Sequence, residues 1–168
     1  VPTAFWKYAT AILKDNYPQT IVIGEVYDPS QYRTYVQSGF DYLYDKVGMY
    51  DCLKSVVRQE CNASAITYQW QSLDDIGQHM LYFLENHDEQ RIASSFFCGD
   101  AQRAIPALIV SALLQGNPML IYAGQEFGEP GMDNEGFSGV DGRTTIFDYW
   151  TVGTIYRGYF HRDQLSVN

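Results

Sequence analysis

The sequence is poor in positive charge and in cysteine and has no long apolar run, and each shortage narrows the range of functions. It has 11 basic against 20 acidic side chains, a formal net charge of −9. Nucleic acids bind clustered Lys and Arg, so this balance argues against a nucleic-acid partner. No stretch reaches the roughly 18 consecutive apolar residues of a membrane-spanning helix, so we expect no membrane segment here.

The beginning of the chain and its cysteines leave the cellular compartment open. The first residue is Val1, and no hydrophobic leader follows it, so we expect a processed chain or a piece of a longer one. Cys52, Cys61 and Cys98 match neither a paired-cysteine metal motif nor an even disulfide framework. We expect free thiols, with a bridge between Cys52 and Cys61 as the alternative. Secreted, periplasmic and cytoplasmic locations all remain compatible with the sequence.

Helical and strand patterns alternate along the chain, which predicts a parallel α/β sheet with helices outside it. No linker divides residues 1–168, so we expect a single domain. Thr3 is predicted to cap the first helix, Asp28 the helix after the first strand, and Gly39 to end that helix. Residues after about 127 are rich in Gly and Asp and are predicted to form a long loop. The predicted strands span residues 20–26, 40–44, 80–84 and 119–123, and the best-defined helix spans 101–114.

Two carboxylates follow predicted strands, where parallel α/β folds place their active sites. Glu25 ends the first strand, and Asp88 comes shortly after the third. A single carboxylate there is more often a solvated loop charge or a helix cap. A pair suits cleavage of a glycosidic bond, in which one carboxyl group protonates the leaving oxygen and another stays charged beside the developing cation. The apolar strand before Glu25 predicts partial burial of its carboxyl group.

The sequence motifs around these carboxylates are more specific evidence of function than the spacing between them. Residues 22–26 (VIGEV) and 83–91 (FLENHDEQR) closely resemble the fifth- and seventh-strand motifs of the α-amylase family of glycoside hydrolases. Residues 118–126 (PMLIYAGQE) resemble the ending of that family's eighth strand, and the loop from 128 to 144 resembles the segment that follows it in bacterial members. The resemblance covers residues 1 to about 150. It implies an α/β fold: a parallel half-barrel, the C-terminal half of a TIM (β/α)8 barrel.

The resemblance also implies roles for individual residues. Glu25 matches the general acid/base, Asp88 the transition-state stabiliser, and His87 an imidazole that binds sugar hydroxyls. Asn86 and Arg91 belong to the same motif and are predicted to contribute to substrate binding, Arg91 also as a donor to Asp88. Tyr27, two residues beyond Glu25, is predicted to form a wall of a sugar subsite, because flat aromatic rings stack on pyranose faces.

One part of the family's machinery has no match. Family members carry a nucleophilic aspartate on the fourth strand, with an arginine two residues before it, and no such string precedes the first helix here. A retaining glycosidase needs this nucleophile about 5 Å from the acid. We therefore expect a longer parent protein to be a retaining glycosidase that acts on α-linked glucans such as starch and maltooligosaccharides, and this piece alone to be inactive.

Several alternatives stay open at this point. Related enzymes with these motifs carry out transglycosylation or isomerisation, and some amylase-like domains only bind carbohydrate or accompany transporters. No cofactor is predicted; the resemblance allows calcium in a longer parent, but Asp133, Asp141 and Asp148 lack the spacing of a twelve-residue calcium loop and are predicted to be solvated. The open edges of a half-barrel predict self-association.

Overall fold

A computed structural model describes residues 1–133 and 139–164, and in these ranges the chain forms six α-helices and four strands. The helices are α1 (Thr3–Asn16), α2 (Tyr32–Gln37), α3 (Asp51–Val57), α4 (Ser64–Ser72), α5 (Ile105–Leu113) and α6 (Gly153–Phe160). The strands are β1 (Ile23–Gly24), β2 (Tyr42–Tyr44), β3 (Met80–Phe83) and β4 (Met119–Leu120). A π-helical turn (Lys46–Tyr50) precedes α3, and 3₁₀ turns precede α2, β3 and α5.

The four strands form one parallel sheet in the order β1-β2-β3-β4. This confirms the predicted parallel α/β arrangement. The paired strands are shorter than predicted, and β1 shows a reason. The amide of Val22 donates to the Asp41 carboxylate at 2.7 Å rather than to a neighbouring strand. The Val22 carbonyl still accepts the amide of Tyr42 at 3.3 Å, so at this residue only the amide takes a side-chain partner.

The core lies between the sheet and its helices. Leu43 and Met80 are directly paired across β2 and β3, so they share one face of the sheet, and both are completely buried. Phe83 stacks on Tyr50 with ring centroids 4.9 Å apart. This packing fixes the position of the carboxyl end of β3. It therefore also fixes where the turn that carries Asp88 begins.

Two of the three predicted helix boundaries are confirmed. The Asp28 carboxylate accepts the amide of Ser30 at 3.0 Å, and Gly39 follows α2 with a φ of 95°. The prediction for Thr3 is wrong, because Thr3 is already helical and Pro2 occupies the cap position. Proline there needs no amide partner, so the helix begins one residue earlier than a threonine cap would allow.

Helix α6 lies within the segment after residue 127 that the sequence predicts to be a long loop. The segment looks loop-like because of its glycines, but Gly158 has a packing role. A Cβ atom on Gly158 would lie 2.5 Å from the ring of Phe127. The glycine therefore lets α6 approach the end of the sheet closely, as a buried small residue in a helix does.

The two outer strands of the described sheet carry exposed apolar side chains. Ile23 in β1 is 46% exposed, and Ile121, just after β4, is 50% exposed. Self-association through these edges stays a prediction. In the described ranges no helix is long and apolar enough to cross a membrane. Cys52, Cys61 and Cys98 are all free thiols.

Replacing Gly24 tests how tightly the end of β1 is packed. A Cβ atom there would lie 2.7 Å from the Phe40 ring and 3.0 Å from Leu43. We expect Gly24→Ala to lower the free energy of unfolding by about 1–3 kcal/mol through overpacking. Urea denaturation measures the loss. The control is Gly116→Ala, where the added methyl group meets open space, and equal stability of the two variants would contradict the packing described here.

Burial of Asp45 makes the stability depend on pH. Asp45 follows β2 and is 1% exposed, and its Oδ2 has no hydrogen-bond partner. Burial raises its pKa from 3.8 to about 6, although amides of the following turn and the Tyr32 hydroxyl oppose the rise. The folded chain thus holds this proton more tightly than the unfolded chain. The resulting stabilisation is complete below about pH 4 and is lost as the pH rises through about 6.

We therefore expect Asp45→Asn to remove part of the pH dependence. Between pH 4 and pH 7 the native chain should lose up to about 3 kcal/mol more stability than the variant. Urea denaturation of both proteins across this pH range measures the difference. Parallel stability profiles for the two proteins would show that the Asp45 carboxyl group is not held protonated by burial.

Candidate active site

Glu25 and Asp88 lie at the same edge of the sheet. Each follows the carboxyl end of a strand, Glu25 directly after β1 and Asp88 in the turn after β3, and the strands run parallel. Both carboxylates reach solvent, since Glu25 is exposed and the Asp88 side chain is 39% exposed. The partial burial predicted for Glu25 is not found, because β1 is an outer strand of the described sheet.

Tyr27 is hydrogen-bonded to one of these carboxylates. Its hydroxyl donates to Glu25 Oε1 at 2.6 Å, and the residue is 51% exposed. Burial of the hydroxyl raises the pKa of Tyr27 most, followed by the hydrogen bond to Glu25 and the negative charges of Glu25, Asp88 and Glu89. Because all three carboxylates raise the pKa of the same phenol, they share one local electrostatic environment.

The turn after β3 is built on Asn86. This residue is 3% exposed, and its side-chain oxygen accepts the amides of Asp88 at 2.9 Å and Glu89 at 2.8 Å. Such an Asx turn reverses the chain locally. His87 at its tip keeps half of its side chain exposed, with Nε2 3.4 Å from Asp88 Oδ2. Asn86 thus shapes the turn through this oxygen, and its predicted contact with substrate stays a prediction; His87 and Asp88 face solvent.

Arg91 does not lie at the surface that could contact substrate, which corrects the prediction for it. It is completely buried, and its NH1 donates to Glu85 Oε2 at 2.8 Å. Glu85 is equally buried and also accepts the amide of Ile92 at 2.7 Å. Burial raises the pKa of the Glu85 carboxyl group, and Arg91 opposes the rise. A buried carboxylate needs such a partner, so Arg91 is committed to Glu85 instead of Asp88.

The guanidinium of Arg91 also joins this turn to the segments after β4. NH2 donates to the carbonyl of Ala123 at 2.9 Å and to the Thr144 hydroxyl at 2.7 Å. The guanidinium carbon lies 4.2 Å from the centre of the Tyr122 ring. Arg91 therefore fixes the relative position of three chain segments behind the exposed residues.

Two basic residues near the site were not predicted. Lys46 follows β2, and its ammonium lies 3.0 Å from Asp51 and 3.4 Å from Glu89. Arg143 donates from Nε to the backbone carbonyl of Asp88 at 2.6 Å. A polar residue just after a strand is the signal that indicates Glu25 and Asp88. The same signal also indicates Lys46. Arg143 comes from a distant loop, and nothing in its local sequence indicates the contact.

The cavities do not all lie at this edge. A cleft of about 330 Å³ beside Glu25 is lined by Ile23, Trp6 and Tyr35, among others. A larger cavity of about 740 Å³ includes Asp41 and His79, which precede β2 and β3 and so lie at the amino ends of the strands. The larger cavity is therefore separate from the edge that carries Glu25 and Asp88.

The calcium that the resemblance allows in a longer parent stays a prediction. Within residues 1–133 and 139–164, no group of three or more His, Cys, Asp or Glu side chains could hold a metal ion. Asp141, one of the three loop carboxylates considered above, is paired with Arg143 at 2.9 Å. No part of the chemistry below depends on a metal.

Comparison with protein families gives a match to the model described as alpha amylase, catalytic domain, over residues 2–153. A comparison with the sequences of curated proteins gave no match. The family model covers β1 to β4 and both carboxylates.

Solved structures show the same arrangement of strands and helices. A cyclic alpha-maltosyl-(1→6)-maltose hydrolase from Arthrobacter globiformis matches with a TM-score of 0.68 and 19% identity, covering 93% of this chain and 36% of its own. An alpha-amylase from Lactobacillus plantarum matches with a TM-score of 0.66 and 22% identity over 86% of this chain and 37% of its own. An alpha-amylase from Geobacillus thermoleovorans, complexed with acarbose, matches with a TM-score of 0.65 and 23% identity over 88% and 34%.

The chain thus spans about a third of the length of each of these structures. Identities this low establish the fold alone, and the fold is that of a fragment of a TIM barrel. The predicted α/β half-barrel is confirmed in this sense.

Replacing Arg91 tests whether it is buried as a partner of Glu85. We expect Arg91→Met to lower the free energy of unfolding by about 3–5 kcal/mol, because it leaves the Glu85 carboxyl group buried without its partner. Arg33→Met is the control, since the Arg33–Asp75 pair is exposed and its loss should change the free energy of unfolding far less. Urea denaturation compares the two. Losses of similar size would contradict the buried ion pair.

Proposed function

We propose, from the premise that the chain belongs to the alpha-amylase family, that it carries part of the active site of a retaining glycoside hydrolase for α-linked glucans. The observation that carries the proposal is the placement of Glu25 and Asp88, both solvent-accessible, at one edge of a parallel sheet. The solved structures named above include a cyclic alpha-maltosyl-(1→6)-maltose hydrolase and an alpha-amylase complexed with acarbose, and they support the substrate class.

Glu25 is the general acid and base of the proposed reaction. In the first step its protonated carboxyl group gives the proton to the leaving glycosidic oxygen while a separate carboxylate attacks the anomeric carbon. In the second step the Glu25 carboxylate takes a proton from water. The water oxygen then displaces the attacking carboxylate from the anomeric carbon of the sugar. The second step returns a proton to Glu25, so the carboxyl group is ready for the next cycle.

Asp88 and His87 hold the sugar on the opposite side of the site. Asp88 stays ionised beside the positive charge that develops on the ring, and His87 binds sugar hydroxyls. The side chains of Asn86 and Arg143 bond to the backbone amide and carbonyl of Asp88, respectively, and support these roles by fixing the backbone that carries the carboxylate. A fixed charge stabilises a transition state without a cost of reorganisation.

The attacking carboxylate is not assigned to a residue of this chain. The described carboxylates close to Glu25 and Asp88 include Glu89, but its side chain is 12% exposed and paired with Lys46. A carboxylate committed to an ammonium group is a poor nucleophile. We propose that the chain alone binds glucan without turning it over.

Binding of maltoheptaose tests the site in the chain itself. We expect Asp88→Asn to weaken binding about tenfold, because a charge-assisted contact to the sugar is lost. Isothermal titration calorimetry measures the affinity. The matched control is Asp74→Asn, since Asp74 is exposed and precedes the same strand at its opposite end. The proposed site is wrong if both variants bind like the native chain.

The expected inactivity has a separate test. A reducing-sugar assay with soluble starch should give no turnover above background for the isolated chain, because the attacking carboxylate is not supplied. Turnover that disappears in Glu25→Gln would show that this chain holds a complete set of catalytic groups, and would overturn the proposed inactivity.

A further inference from the structure

Tyr27 makes a hydrogen bond to Glu25 that stacking against a sugar does not require. A ring that only forms the wall of a subsite needs no bond from its hydroxyl to the neighbouring carboxylate. Here the hydroxyl donates to Glu25 Oε1 at 2.6 Å, a short distance typical of a bond to an ionised acceptor. The two residues are separated by Val26 alone, which is buried and anchors the chain between them.

The exposure of Glu25 makes this bond consequential. A solvent-exposed glutamate side chain samples several rotamers, and placing it costs side-chain entropy. A proton donor in a glycosidase has to be held in reach of the leaving oxygen, so a free side chain spends part of its time misplaced. Of the hydrogen bonds to Glu25 in the described structure, the one from Tyr27 is the bond that limits these rotamers.

We propose that Tyr27 is a positioning residue for Glu25: its hydroxyl holds Oε1 in place and leaves Oε2 as the oxygen that exchanges the proton with substrate. This inference rests on the proposed function for the role of Glu25. The ring of Tyr27 remains available to pack against a sugar. The hydroxyl and the ring therefore have separate roles. A phenylalanine at this position would keep the ring and lose the hydroxyl.

The surrounding charges keep the hydroxyl in its donor form. Glu25, Asp88 and Glu89 all favour the neutral phenol over the phenolate, and burial of the hydroxyl acts in the same direction. Tyr27 can consequently donate to Glu25 throughout the pH range in which a glycosidase works.

Nuclear magnetic resonance of the intact chain tests the positioning directly. Three-bond couplings of the Glu25 side chain should indicate one dominant rotamer in the native chain and averaged rotamers in Tyr27→Phe. Tyr68→Phe, at an exposed tyrosine on α4, should leave the couplings unchanged. A single Glu25 rotamer that persists in Tyr27→Phe would overturn the proposal.

The Tyr27 ring resonances give a second readout that a purely structural role would not change. At neutral pH, Glu25→Gln should shift the Tyr27 Cζ resonance, because the charged acceptor of the hydroxyl becomes a neutral amide. Asp88→Asn should shift it less, since Asp88 acts on Tyr27 through charge alone. An equal or larger effect from Asp88→Asn would overturn the assigned bond.

Neither measurement uses a carbohydrate, so its outcome is independent of the proposed glucan site. Maltoheptaose binding completes the set: Tyr27→Phe, which keeps the ring, should bind like the native chain, and Tyr27→Ala should bind several-fold more weakly. Suppose that the Glu25 rotamers become averaged only in Tyr27→Phe and that the native chain binds no glucan. This result would support the positioning contact and refute the proposed function.

Discussion

The buried ion pair between Glu85 and Arg91 is the interaction on which the geometry of the site depends. Its two charged groups are completely removed from solvent, which is costly unless every polar atom finds a partner. The chain supplies these partners from three places: the amide of Ile92, the carbonyl of Ala123 and the hydroxyl of Thr144. Satisfying the pair therefore brings the turn after β3, the end of β4 and the loop before α6 to one point.

This constraint divides the candidate site into two parts of different character. Asp88 is held through its backbone by Asn86 and Arg143, so the turn that carries it is fixed from both sides. Glu25, at the outer strand β1, is exposed and is held through its side chain by Tyr27. The difference suits the two proposed tasks, since a stabilising charge has to stay still and a proton donor has to accept and release a proton.

The sequence is informative about elements and about motif residues that face solvent. The parallel α/β arrangement, the cap at Asp28 and the edge shared by Glu25 and Asp88 follow from apolar periodicity and from the parallel direction of the strands. The motif that contains His87 also contains Arg91 and predicts a substrate contact for it, which complete burial of Arg91 contradicts. Spacing cannot distinguish a side chain that turns inward from one that turns outward, and the partners that draw Arg91 inward include Thr144, far along the chain.

The remaining differences have the same origin. Gly158 resembles a loop residue until its contact with Phe127 is known, and Arg143 is unremarkable until its bond to the carbonyl of Asp88 is seen. Both depend on contacts between distant segments, which local pattern does not encode. The strongest competitor to the proposed site is also visible in three dimensions alone: the cavity of about 740 Å³ at the amino ends of the strands, which includes Asp41 and His79. A crystal structure of the chain soaked with maltoheptaose decides between the two most directly. The account predicts a glucose ring in contact with Glu25, His87 and Asp88, and a sugar seated instead in the cavity beside Asp41 and His79 would contradict it.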